Sequence, residues 1–225
     1  MMKRLLSVLI SVTTITAYGQ SADAIHFRHQ KVKYYLTKSC YDFLEWDAIV
    51  FKNKKTENKI NSAIRKRVNT YQLRGENARL FCQKKMDYNF KFEVVYLKNG
   101  IVSISLSKTI YVKDAPHPWT EFQTMNFSSE TGKELSFSSL FESSKMASLD
   151  SLILHKVTQE RQFDAMDSLD LRQGIISKKF NIRDEGMRVI YMYQNYPADV
   201  LLTYEELQPF ILRQGLLKKM GQIKK

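Results

Sequence analysis

His117 stands between two prolines in the run Lys113-Asp114-Ala115-Pro116-His117-Pro118-Trp119. Each proline fixes its own φ and biases the residue before it toward extended backbone, so the imidazole is rigidly aimed, with the Trp119 indole close behind. Such a histidine could act on a substrate, contact a ligand, or hydrogen-bond nearby backbone to hold two strands together, with Asp114 near enough to be its partner. Catalysis needs several converging groups, and this stretch localises one; the corner therefore reads first as scaffold and second as a ligand contact. The spacing Ser105-x-x-Lys108 suits a nucleophile and its base, but in a strand residues three apart face opposite sides. Asp164, Asp167 and Asp170 invite a calcium reading, yet the alternating ligands and glycine of a calcium loop are absent. His26-x-x-His29 is a weak pair on what reads as an exposed N-terminal tail. There is no Gly-x-Ser-x-Gly, and the 8 glycines are scattered singly, so no phosphate cradle forms. We therefore expect no cofactor, no metal and no located catalytic residue. Glycoside hydrolysis needs only two opposed carboxylates, which any of the 23 acids could supply, so an envelope glycan hydrolase stays open.

Two cysteines, Cys40 and Cys82, point to one disulfide if the chain works in an oxidising compartment, and to two buried thiols otherwise. The first residues argue for the former. Lys3 and Arg4 precede an apolar run from Leu5 to Ala17 and a small-x-small pair, Ala17 and Gly19, which is the layout of a secretory leader over residues 1–19 with cleavage before Gln20. That run is shorter than the roughly 20 residues a membrane-crossing helix needs, so a leader is favoured over an uncleaved anchor. The expected location is periplasmic or extracellular, with no transmembrane anchor.

With 35 Lys and Arg against 23 Asp and Glu the chain carries +12, and without Lys3 and Arg4 it carries +10. Such an excess favours anionic partners at long range. Outside the cytoplasm those are envelope polymers such as peptidoglycan, lipid headgroups or acidic proteins; nucleic acid is excluded by the compartment and by the lack of any reader motif.

The elements that must position these residues alternate in type. Tyr, Phe, Val and Trp between Lys31 and Phe51 predict two strands broken near Ser39 and Asp42. Ile60, Ile64 and Val68 then recur every four residues, predicting a helix from about Thr56 to Tyr71. Lys59, Arg65 and Lys66 fall off its apolar stripe, as a solvated face or as a grip on a polyanion. A polar loop is expected around Arg74 to Asn77, followed by a hairpin turning at Asn99-Gly100. In its second strand Val102, Ile104 and Leu106 alternate with Ser103, Ser105 and Ser107, predicting one buried face and one facing water or a partner. Trp119 to Ser129 reads as a further strand ending in the Glu130-Thr131-Gly132-Lys133 turn. Ser139 and Glu142 suggest a capping box before a helix over about Met146 to Met166. A hairpin at Asp184-Glu185-Gly186 follows, and then a second capping box at Thr203 and Glu206, with a frayed basic tail over 218–225. Strands, helix, strands, helix, strands, helix with hairpin connections give an α+β fold of antiparallel sheets with packed helices.

In order and spacing, Ile60-Asn61, His117-Pro118, Thr131-Gly132-Lys133, Leu140-Phe141, the Tyr196-Pro197-Ala198 corner and Tyr204-x-x-Leu207 resemble the RsiV-like domain of unknown function. That domain is the ectodomain of lysozyme-sensing anti-sigma factors and the module preceding a peptidoglycan deacetylase. The resemblance implies two intimately associated halves, a PdaC/RsiV-like N-terminal half over 20–96 and a C-terminal half over 97–217. It departs at Lys113 to His117, where the family's Gly-Gly-Ala-His turn is lost. It implies a non-catalytic envelope-recognition module whose ligand is peptidoglycan or another anionic polymer. A lysozyme-binding sensor or inhibitor, with a muramidase as partner, is the third reading; a chain of this charge would repel a basic lysozyme. The residues expected to bind are His117, Trp119, Lys59, Arg65 and Lys66.

Overall fold

The computed structural model describes residues 14–15, 24–37, 40–161, 178–193, 196–213 and 215–218. The chain is α+β: its described residues form three antiparallel three-stranded sheets with helices packed against them. The first sheet is β1 (Thr14–Ile15), β2 (Ala24–Tyr35) and β3 (Tyr41–Phe51). Helices α1 (Lys54–Val68) and α2 (Gly75–Cys82) follow. The second sheet is β4 (Met86–Lys98), β5 (Ile101–Val112) and β6 (Trp119–Ser128). After α3 (Met146–Arg161), the third is β7 (Lys179–Ile182), β8 (Gly186–Tyr193) and β9 (Tyr196–Thr203), leading into the single turn α4 (Tyr204–Leu207). Asp164, Asp167 and Asp170 lie outside the described residues.

The middle sheet holds the molecule together because both of its faces are covered. On one face Val102, Ile104 and Leu106 of β5, with Met125 and Phe127 of β6, meet Leu44, Trp46, Ile49 and Phe51 of β3 and the Ile60, Ile64, Val68 stripe of α1. The stripe that predicted the helix is thus the stripe that is buried. On the other face lies β7, which corrects the sequence expectation for the serine side of β5: Ser103 and Ser105 are buried, not turned to water. The apolar mass beyond them joins Leu149, Ile153 and Val157 of α3 to Phe180, Ile182, Val189, Tyr191, Val200 and Leu202 of the third sheet.

The edges of β7 and β3 are sealed by side chains in place of a further backbone ladder. β7 is an edge strand whose outward backbone groups are buried. Phe180 N–H donates to Thr124 Oγ1 at 3.3 Å, Phe180 C=O accepts from Asn126 Nδ2 at 2.8 Å, and Ile182 N–H donates to Ser103 Oγ at 3.0 Å. Ser103 Oγ also donates to Asn126 Oδ1 at 2.6 Å and accepts from Asn181 Nδ2 at 3.1 Å. The same device closes the edge of β3: Asn61 of α1 accepts from Ile49 N–H at 2.9 Å and donates to Ile49 C=O at 2.8 Å. Glu57 continues it, accepting from Phe51 N–H at 3.1 Å. Burial acts to raise the Glu57 pKa, but the bonds from Lys54 and Phe51 and the nearby Lys54 and Arg28 charges outweigh it and hold the carboxyl below its ordinary value. An edge strand sealed this way cannot recruit another chain.

Several local expectations are revised. The polar stretch Arg74 to Asn77 opens α2, where Gly75 at φ 55° makes the entry. His26 and His29 are not on a tail but within β2, and His29 lies between Glu45 and Asp47, 3.2 Å from the latter. Ser139 does not cap a helix: its hydroxyl donates to Ser136 C=O, and Glu142 pairs with Lys145. Tyr196-Pro197-Ala198 is no corner but the start of β9, where Pro197 on an edge strand sits opposite Met192. The Asn99-Gly100 hairpin turn, with φ of 53° and 79°, and the Thr203/Glu206 capping box form as expected. Two residues of the leader-like segment, Thr14–Ile15, pair with Arg28 and Phe27, a pairing that leader removal would dissolve.

Candidate binding surfaces

The basic residues singled out on α1 divide into two groups. Lys59, Ser62, Ala63 and Lys66 follow one another at helical i, i+3, i+4, i+7 spacing and form one wall of an open basin of about 730 Å³. The Thr131-Gly132-Lys133 turn forms the other wall. Arg65 is exposed on a different side of the helix and does not line it. The turn comes this close because residue 132 is glycine. Its φ is +69°, and a Cβ there would stand 3.1 Å from Lys59 Cβ. Lys59 Nζ in turn donates to Thr131 C=O at 3.2 Å, which ties helix and turn together. The lining thus carries Lys59, Lys66 and Lys133 and no carboxylate. Elsewhere on α1, Lys54 is paired with Glu57 and Arg67 with Glu134, so those charges are offset where they stand.

His117 lies in the connection between β5 and β6 and Trp119 opens β6, far along the sheet from the basin: Trp119 is opposite Ile110, while the basin's turn follows the other end of β6. His117 is exposed, and its Nδ1 lies 3.2 Å from Pro118 C=O. That contact is local to the turn. Replacing an exposed surface residue shifts stability within about 0.5 kcal/mol. We therefore expect His117→Ala to melt within about 2 °C of the wild type by differential scanning calorimetry. Trp119 is 47% exposed, with Lys108 Nζ 4.9 Å over its ring and Lys108 itself paired with Glu121 at 2.6 Å. Ser105 faces β7 while Lys108 joins that exposed corner, so the Ser-Lys pair does not assemble.

A candidate contact surface that sequence reasoning missed lies on the β2–β3 hairpin. Lys31 is opposite Glu45, Lys33 opposite Phe43, and Tyr35 opposite Tyr41, all on the hairpin's outer face. Lys33 Nζ stands 3.6 Å from the Tyr41 ring centre and 5.0 Å from Tyr35, and Lys31 Nζ is 4.2 Å from Phe43. Tyr35, Tyr41 and Phe43 are exposed, as are Tyr111, Val112 and Trp119. All six lie at the end of the fold where the Cys40–Cys82 disulfide joins the hairpin tip to α2, with alpha carbons 5.7 Å apart. Exposed rings grouped at one end mark a contact surface more than a solvated one. The strand alternation Lys31-x-Lys33-x-Tyr35 carried the signal, but only the pairing register shows which residues share the face.

Among the described residues, no three His, Cys, Asp or Glu side chains gather as a metal site, and no helix is long and apolar enough to cross a membrane.

No family model matches the chain, and no curated protein matches it. Solved structures share its fold, two of them as follows. A member of the DUF3298 family from Bacteroides fragilis superposes with a TM-score of 0.63 at 12% identity, covering 90% of this chain and 100% of that one. A DUF3298 family protein from Pseudomonas aeruginosa gives 0.55 at 14% identity, covering 86% and 97%. At these identities the likeness carries the α+β fold alone.

Proposed function

We propose that this protein is a non-catalytic binding module that acts outside the cytoplasm and holds an anionic envelope polymer, peptidoglycan or an acidic polysaccharide, on its basic basin. The observation that carries the reading is the wall of Lys59, Lys66 and Lys133 without a carboxylate among them, in a basin open enough for a chain to cross. A shallow cationic groove attracts polyanions over long range and commits to no single reacting bond, which suits retention and not turnover. The Cys40–Cys82 bond and the leader-like first residues support an oxidising location. The resemblance of the motifs to the RsiV-like module supports envelope recognition, and the exposed rings of the hairpin offer sugar faces a second foothold.

Sedimentation with purified cell wall across a salt series tests this. The wild-type protein should co-sediment at low ionic strength and be released as salt rises. The triple variant Lys59→Gln, Lys66→Gln, Lys133→Gln should bind about tenfold more weakly, since three contacts to the polyanion are lost. Retention insensitive to salt and to these substitutions would refute the basin. Soluble sugar released from the wall would establish the hydrolase reading in its place, and inhibition of a muramidase the sensor reading.

A further inference from the structure

A second cavity, smaller and with different chemistry, lies between the middle and third sheets. It has about 170 Å³ and is lined by Ser105, Phe122, Asn181, Arg183, Arg188, Ile190, Ala198 and Asp199. Its two guanidinium groups are not equivalent. Arg188 is committed, with Nη1 donating to Asp199 Oδ2 at 2.7 Å and Nε 3.4 Å from Glu185. Arg183 is held by its backbone, whose C=O accepts from Tyr204 Oη at 2.6 Å, while its side chain lines the cavity with Nε buried and unsatisfied. A buried N–H without an acceptor bears its full desolvation cost and calls for an explanation in function or in strain.

We propose that this cavity binds a short carboxylate, with Arg183 as its anchor. A guanidinium presents its N–H groups as a planar fork that matches the two oxygens of a carboxylate, and a carboxylate on Nε and one Nη would satisfy the orphaned donor. Ser105, also in the lining, brings a hydroxyl able to donate to the same oxygens. Asp199 does not repel the ligand, because Arg188 neutralises it at 2.7 Å. The Asn181 amide is committed to Ser103 Oγ and Ile104 C=O, and Phe122, Ile190 and Ala198 make the rest of the wall apolar, so the acid carries a small alkyl group and not a second charge. Free short acids and the C-terminal carboxylate of a peptide share this chemistry.

Titration of the full chain with propionate and with acetyl-alanyl-alanine, followed by amide NMR, tests the assignment. Both probes should shift the Ser105, Asn181 and Ala198 resonances with dissociation constants on the order of millimolar, as befits so few contacting atoms. Propionamide and the peptide methyl ester, which lack the carboxylate, should not. Binding only by propionate would assign the cavity to free acids, and tighter binding by the peptide to chain ends; both support the proposal. Arg183→Gln should weaken binding at least about tenfold, and Arg183→Lys, which keeps the charge but not the fork, should do the same. If Arg183→Gln does not fold, Arg183→Lys decides. Absence of shifts in the wild type, equal shifts by the neutral analogues, or undiminished binding in a folded Arg183 variant would overturn it. The basin is untouched by these substitutions, so cell-wall retention should be unchanged in them.

Discussion

Replacing Ser103 with alanine is expected to lower the stability of the fold by about 3 kcal/mol, seen as a fall of about 10 °C in melting temperature. One oxygen is removed, yet three groups lose a partner: the Ile182 amide, the Asn181 side-chain amide and the Asn126 carbonyl oxygen. All of them are buried, so water cannot replace the lost hydroxyl without opening the joint. Asn181 keeps a bond to Ile104 C=O and Asn126 keeps its bond to Phe180 C=O, which limits the loss. Ile182 N–H keeps nothing, and carries most of the expected cost. Ser107, two positions along the same face of β5 but only partly buried, supplies the control: its alanine variant should melt within about 2 °C of the wild type. Equal melting of the Ser103 and Ser107 variants would show that the joint between the sheets is held by apolar contact alone.

This joint also marks the boundary of what the sequence could disclose. Val102, Ile104 and Leu106 alternate with serines, and in a two-layer protein that pattern means a wet face. Here the serines face inward because β7 presents an edge to them, with backbone groups that need hydroxyl and amide partners. An edge strand of four residues, more than seventy positions later, leaves no periodic trace near β5. The α1 stripe, the Asn99-Gly100 turn and the Thr203/Glu206 box were legible because each is decided within a few residues by local geometry. The failures follow the same logic in reverse. α2 contains no fully buried residue, so no apolar stripe announced it. The basic basin was half visible: the i, i+7 relation of Lys59 and Lys66 is local to α1, but Lys133 reaches them only through the tertiary contact that Gly132 permits. The prolines beside His117 stiffen a turn whether or not anything depends on it, so the local sequence alone assigns that histidine no role.

Removing the disulfide should cost more than any single hydrogen bond, and should do so locally. The bond closes a loop across a sequence separation of 42 residues, for which the chain-entropy model gives about 4 kcal/mol. What it secures has little else to hold it. Among the described residues, the cluster beneath the bond has Leu73, Met86 and Ile110 buried, with Leu36, Ala78, Leu80, Phe81 and Tyr88 partly so. α2 has no side-chain cap at its N-terminus, and its Glu76–Arg79 pair lies in full contact with water, where it contributes little. The Cys40→Ser, Cys82→Ser double variant should therefore melt about 10 °C lower. Hydrogen exchange should locate the damage: amides from Ala78 to Lys85 and the hairpin-tip amides of Leu36 and Thr37, which bond to Cys40 C=O, should lose protection, while Val102 to Leu106 in the middle sheet keep theirs. The exposed rings Tyr35 and Tyr41 stand on that same tip, so reduction should also loosen the Lys33 contact that sets their faces. A reduced protein that melts with the oxidised one, or loses protection uniformly across all three sheets, would mean that α2 and the hairpin tip are held by packing and that the bond is incidental to them.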